Sequence, residues 1–163
     1  MNTNYLESNR KLFLYYKDLA EKSFDQLSEN QLFWKENEES NSIANIVKHL
    51  SGNMISRWTD FFTTDGEKEW RNRDSEFESS IKTKEEMLEC WNKGWYRFFD
   101  ALDSISENDL SKIIYIRNEA HTILEAINRQ LAHYPYHIGQ IVYIAKILTN
   151  ENWKSLSIPK KKL

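Results

Sequence analysis

Four glycines and two prolines are all that 163 residues contain. A many-stranded β fold needs a turn signal roughly every eight to twelve residues, so this scarcity excludes one and favours long helices. Cys90 is the single cysteine, which excludes an internal disulfide and removes any need for an oxidising compartment. It falls in an aromatic-rich segment and reads as a small packed thiol. No apolar run approaches the roughly 20 residues of a membrane span. The opening Met1-Asn2-Thr3-Asn4-Tyr5 has no basic start leading into an apolar core, so no signal peptide is expected. A soluble, cytoplasmic protein with no membrane partner is the expectation. Charge of one sign is missing too: 22 Lys and Arg face 25 Asp and Glu, for a net charge of −3. The one basic cluster, Lys160-Lys161-Lys162, reads as a solvated end, so nucleic acid is not an expected partner.

What the chain does have is apolar and aromatic material, 40% and 13% of its residues. That composition can bury a core and is not that of a disordered chain. The length fits one domain over residues 1–163, and no repeat, low-complexity block or linker divides it.

Four long segments carry helical periodicity. The first runs from Tyr5 to Phe24, with Leu12, Phe13, Tyr16, Leu19 and Ala20 on its apolar face; Ser28 to Gln31 then reads as a polar connection. The second begins at Asn41-Ser42, whose side chains can accept from first-turn amides. Its stripe is Ile43, Val47, Leu50, Met54 and Phe61, and it is expected to stop near Thr63-Thr64-Asp65, with Gly66 as a left-handed terminator. Glu67 to Ser80 is a charged loop of a length that is often functional. The third segment, Thr83 to Leu102, repeats Leu88, Trp91, Trp95, Phe98 and Leu102 at spacings of three and four. Ile113-Ile114-Tyr115-Ile116 is the best candidate for a strand, one arm of a small hairpin. In the fourth segment Thr122 and Glu125 form a capping-box pattern. Leu124, Ile127, Leu131, Tyr134, Ile138, Ile141, Ala145 and Leu148 follow as a bundle seam. Pro135 falls inside this segment and is expected to bend it. The fold class expected is all-α, a four-helix bundle with a small β-hairpin before the last long helix.

Three histidines flank these stripes. His133 and His137 are four apart and share one face of the fourth segment, with Gln130 near the same line. His49 holds the matching position on the second, beside Val47, Leu50 and Met54, with Asn53 and Asp60 continuing its line. If the two flanks face each other, three imidazoles converge, a set that suits zinc, nickel, copper or iron and leaves positions open for water or substrate. A histidine beside an apolar stripe is also what a hydrogen-bonded core residue looks like, and spacing alone favours that plainer reading. Tyr134 follows His133, so the metalloprotease motif is absent. His121 reads as a loop residue, and Asn53 and Asp60 as a solvated flank. The tryptophans read first as core residues, although Trp58, Trp70 and Trp153 lie outside the clearest stripes and could instead line a pocket or a dimer face.

Three blocks carry a family resemblance. They are Asn41-Ser42-Ile43-Ala44-Asn45-Ile46-Val47-Lys48-His49-Leu50; Asp65-Gly66-Glu67 with Arg71-Asn72-Arg73-Asp74; and Glu125 to His133, continuing through His137-Ile138-Gly139-Gln140. In these the chain resembles the DinB-like superfamily of small metal-binding helical bundles, closest to a bacterial branch of unknown function, over nearly its whole length. The resemblance implies a four-helix bundle, a divalent metal (nickel or zinc) held by His49, His133 and His137, and a homodimer. It also implies a metal-dependent enzyme acting on a small-molecule ligand, with characterised relatives that include bacillithiol S-transferases and a mycothiol-dependent isomerase. A low-molecular-weight thiol would then be a second cofactor, its thiolate favoured by the metal. Transfer of such a thiol to an electrophile is the leading expectation, with hydrolysis by metal-bound water a second catalytic option. A non-catalytic, stress-related metal- or ligand-binding protein is the alternative. No residue is assigned as general base, and Asn53 and Asp60 are the first candidates to orient the metal-binding imidazoles. Arg71, Arg73 and Arg129 could attract carboxylates, although an exposed arginine is more often simply solvated.

Overall fold

A computed structural model describes residues 4–78 and 80–158; the lysine cluster at 160–162 and the first three residues lie outside it. Among the described residues the architecture is mostly helical, with five α-helices and one two-stranded antiparallel sheet. Helix α1 (Tyr5–Phe24) runs as its periodicity predicts, burying Phe13 and Ala20, while Leu12 is left exposed. The polar connection at Ser28 is itself a helical turn, α2 (Glu29–Leu32). Ser28 and Gln31 cap each other reciprocally, the Ser28 N–H donating to Gln31 Oε1 at 2.9 Å. Leu32 then anchors the turn in the core.

Helix α3 (Ile43–Trp58) starts where Ser42 accepts the Asn45 N–H at 3.1 Å, as expected. It stops earlier than the sequence suggests. Asp60, with φ 49°, takes the left-handed position expected of Gly66. Gly66 is required by a close approach instead, since a Cβ there would lie 2.9 Å from Arg57 Cδ. Helix α4 (Lys84–Asp103) is capped by Thr83 and buries Met87, Trp91, Trp95, Phe98 and Leu102. It lies so close to α3 that a Cβ on Gly94 would fall 2.7 Å from Ser51 Cα. Ser51 Oγ donates to the Cys90 carbonyl at 2.7 Å across the same contact. Burial raises the pKa of the Cys90 thiol, in keeping with a packed rather than a nucleophilic sulfur.

The expected strand is β1 (Ile113–Ile116), paired antiparallel with β2 (Glu119–Thr122) so that Ile113 faces Thr122 and Ile116 faces Glu119. His121 therefore sits on a strand and not in a loop. The two turn residues, Arg117 and Asn118, both have positive φ, at 57° and 62°. This is the backbone a two-residue hairpin favours. Asp65 fixes it from the loop after α3, its carboxylate accepting the N–H of Arg117 at 2.9 Å and of Asn118 at 2.8 Å.

The Thr122–Glu125 capping box opens α5 (Ile123–Thr149), which continues through Pro135 as one helix. Its buried face includes Ile127, Tyr134, Ile138, Ile141 and Ala145 of the expected seam. Leu124 is exposed, however, and Ala126 and Gln130 are buried, so the inward face is wider on the side that carries the histidines. Trp58 is not a surface residue: it is 1% exposed and donates from Nε1 to Tyr134 Oη at 3.1 Å. Phe13, Trp95 and Phe98 surround that tyrosine ring. Of the other two tryptophans set apart by the sequence, Trp70 is exposed and Trp153 packs partly against the core. Helix α3 lies along α4 and α1 along α5, and α3 also meets α5, which brings the histidine flanks together. No described helix is long and apolar enough to cross a membrane.

Candidate metal centre

His49 on α3 and His133 and His137 on α5 converge as their spacing allowed. One ring nitrogen from each lies within 4.8 Å of the other two. The Nε2 atoms of His49 and His133 are 3.3 Å apart. Two imidazole nitrogens bound at about 2.0–2.1 Å around a tetrahedral zinc would be separated by roughly that distance.

Two further residues decide which nitrogen each ring presents. Glu76 Oε2 lies 2.9 Å from His49 Nδ1. A carboxylate only accepts, so Nδ1 carries a hydrogen and Nε2 is the nitrogen turned to its neighbours. Gln140 Oε1 accepts from His137 Nδ1 at 2.8 Å, which sets the same tautomer there. Such partners orient metal-binding histidines and raise their basicity. Burial, then the neighbouring imidazoles and Arg57 and Arg71, push His133 down to about 3. Burial also lowers His137 against the opposing Gln140 hydrogen bond, with His49 adding to the lowering. Both rings are thus neutral at pH 7, the form a metal requires. The Nε2 atoms of His49 and His133 stand at the separation that two ligands of one ion need, and neutral imidazole is the donor such an ion takes. The three residues fit a divalent ion.

Glu76 is the residue that sequence reasoning missed. It sits on a 3-10 turn, Asp74–Phe77, in the charged loop after α3, and is 5% exposed. Burial alone would raise its carboxyl pKa. Hydrogen bonds from His49 and Arg71 outweigh that and leave it below the ordinary value. Arg71 donates to both oxygens, from Nε at 2.7 Å and Nη2 at 2.9 Å. Asn45 Nδ2 holds the Phe77 carbonyl at 2.7 Å, and Lys48 reaches the Ser75 carbonyl, so the turn is pinned to α3 itself. Gly52 gives Glu76 its space: a Cβ there would fall on Oε1 and 2.9 Å from Cδ. The loop's charge and length flagged the region, but no local spacing singled out residue 76. Asn53 is buried beside the site and does not bond the imidazoles, whereas Asp60, just past the end of α3, stands exposed.

A pocket of about 440 Å³ opens beside His49 and His133. Asn53 and Gln130 line it, with Tyr136 among the other walls. So do five arginines: Arg57, Arg71, Arg73, Arg117 and Arg129. Arg71 is buried by its side chain, not solvated as an arginine in a charged loop would ordinarily be. Glu67 is shared among Arg71 at 3.3 Å, Arg117 at 3.3 Å and Arg57 at 3.6 Å.

A three-histidine cluster that could hold a metal ion, built on a mostly helical frame, defines the class of this protein. The chain belongs to the family described as "Protein of unknown function (DUF1572)", whose model matches residues 1–162. No curated protein and no solved structure matches it.

Proposed function

We propose that this is a metal-dependent enzyme of DinB-like type acting on a small molecule, with His49, His133 and His137 as the protein ligands of a nickel or zinc ion. The observation that carries the reading is the oriented triad beside an open pocket. A structural zinc site is closed by four protein ligands. Among the described residues the cluster offers three, next to a cavity large enough for a substrate. The four long helices and their pairing support the four-helix bundle that the family resemblance implies.

A divalent ion held there supplies Lewis-acid stabilisation of a bound thiolate or hydroxide. The chain's own residues do the rest. Glu76 holds the proton on His49 Nδ1, Gln140 does so for His137, and Arg71 keeps Glu76 ionised. The reaction we favour is transfer of a low-molecular-weight thiol to an electrophile. Tyr136, Tyr143 and Ile147 leave a stripe of large side chains exposed on α5, which supports a homodimer.

Elemental analysis of untagged protein tests the metal reading, with about one nickel or zinc per chain expected. No metal above background after reconstitution would overturn it. His137→Ala is expected to abolish binding and leave the helical circular dichroism intact. Loaded protein incubated with thiols and electrophiles tests the reaction; absence of any conjugate would leave non-catalytic binding as the better description.

A further inference from the structure

Among the described residues Arg57 is the most deeply buried charged side chain. It is 2% exposed and lines the pocket, yet its Nε and Nη1 have no hydrogen-bond partner among the described residues. Its remaining nitrogen, Nη2, reaches Glu67 only at 3.6 Å, beyond hydrogen-bond distance. A guanidinium stays charged even when burial lowers its pKa, as burial does here. Buried polar donors in native proteins are almost always satisfied, and the exceptions call for an explanation in function or in a missing group. Arg57 Nε and Nη1 are such exceptions, on a side chain that lines a cavity.

The surroundings point to the chemistry of the missing group. No acidic side chain lines the pocket, although the chain as a whole carries a net charge of −3. Glu67 and Glu76, just outside the lining, are already shared with Arg71, Arg117 and His49. Arg73 and Arg129 stand on the rim, and neither forms an ion pair with a described carboxylate. Two buried acceptors, Asn53 Oδ1 and Gln130 Oε1, also lack partners.

We infer that this pocket binds a small anionic molecule, one whose carboxylate or phosphate group is taken by Arg57 deep in the cavity and by Arg73 and Arg129 at its mouth. A neighbouring hydroxyl or amino group on that molecule donates to Asn53 or Gln130. The planar guanidinium forks suit both kinds of acid group, and the shared feature is a compact oxyanion. The inference deepens the metal reading, because it names the substrate class that would lie next to the three imidazoles. It does not depend on the ion for its own binding energy.

Calorimetric titration of the full chain at low ionic strength tests it, with inorganic phosphate in one arm and succinate in the other. Chelator-treated protein is titrated first and metal-loaded protein second. Saturable binding of at least one anion is expected, and the stronger arm tells phosphate from carboxylate. Arg57→Met should weaken that binding at least tenfold. Arg129→Ala, an exposed rim position, should weaken it severalfold and decides the matter if Arg57→Met does not fold. Arg97→Ala, at an arginine that pairs with Asp100 and does not line the pocket, should change nothing. No saturable binding in either arm, or equal losses in Arg129→Ala and Arg97→Ala, would overturn the anion site. Anion binding without any metal uptake would keep this inference and sink the metal reading; metal uptake without anion binding would do the reverse.

Discussion

Replacing Gly52 by alanine sets two known effects against each other. In an ordinary helix interior the change stabilises by about 1 kcal/mol, because glycine is a poor helix former. Here the added Cβ would fall on Glu76 Oε1 and 2.9 Å from Cδ, where ordinary contact begins at 3.4 Å. The carboxylate must retreat by about 0.5 Å or more. It has no free direction to take, being held by His49 at 2.9 Å and by Arg71 at 2.7 and 2.9 Å. Weakening one charge-assisted hydrogen bond costs about 1.5–3 kcal/mol, so a net loss of about 0.5–2 kcal/mol is expected. For a domain of this size that lowers Tm by roughly 1–8 °C. Urea unfolding of the metal-free variant measures the first effect. Metal affinity, read by competition with a chromogenic chelator, measures the second, and a fall of roughly 10–100-fold is expected when an orienting partner is lost. A variant that gains about 1 kcal/mol and binds metal as before would refute the reasoning. It would mean that Glu76 is free to move and does not position His49.

Gly94→Ala should destabilise by about 1–3 kcal/mol in chemical unfolding, since its Cβ meets backbone, Ser51 Cα at 2.7 Å, which cannot step aside. Tyr134→Phe strands the indole N–H of Trp58 in the core and should cost about 1–3 kcal/mol, with metal binding preserved once the protein is folded. Asp65 supplies a pH test. Burial raises its pKa, but N–H groups of Asn118, Glu67 and Arg117 bind the charged form and leave it below the ordinary 3.8. A carboxyl lowered in the folded state contributes stability that is complete above its unfolded pKa and is lost as pH falls through the folded one. Wild type should therefore lose stability in the window below about pH 4, and Asp65→Asn should show a shallower fall there. Identical acid limbs in the two proteins would count against the clamp.

Much of the frame was legible because it depends on local chemistry. Ser42, Thr83 and Thr122 cap helices near the places where their sequence neighbours suggested, and the β-branched run at Ile113 pairs as a strand. Errors fell where a distant group decided the outcome. Gly66 was misread as a terminator because its real constraint is Arg57, which no helical periodicity reveals. Trp58 was set apart from the stripes, yet its partner is Tyr134 on another helix. The histidines were visible as a pattern, but their convergence rests on α3 meeting α5. Glu76 could not be found in this way. Its role comes from a loop folding back over Gly52, and sequence spacing carries no record of that path.

The loop that brings Glu76 to His49 is pinned to α3 at both Asn45 and Lys48. Its order and the grip of the imidazole on a cation are therefore thermodynamically linked. Whatever raises occupancy at the triad must, by reciprocity, also raise the population in which residues 67–78 are closed over α3. Protease resistance and amide exchange in that stretch would then serve as a gauge of the site, readable from a segment that holds none of its three histidines.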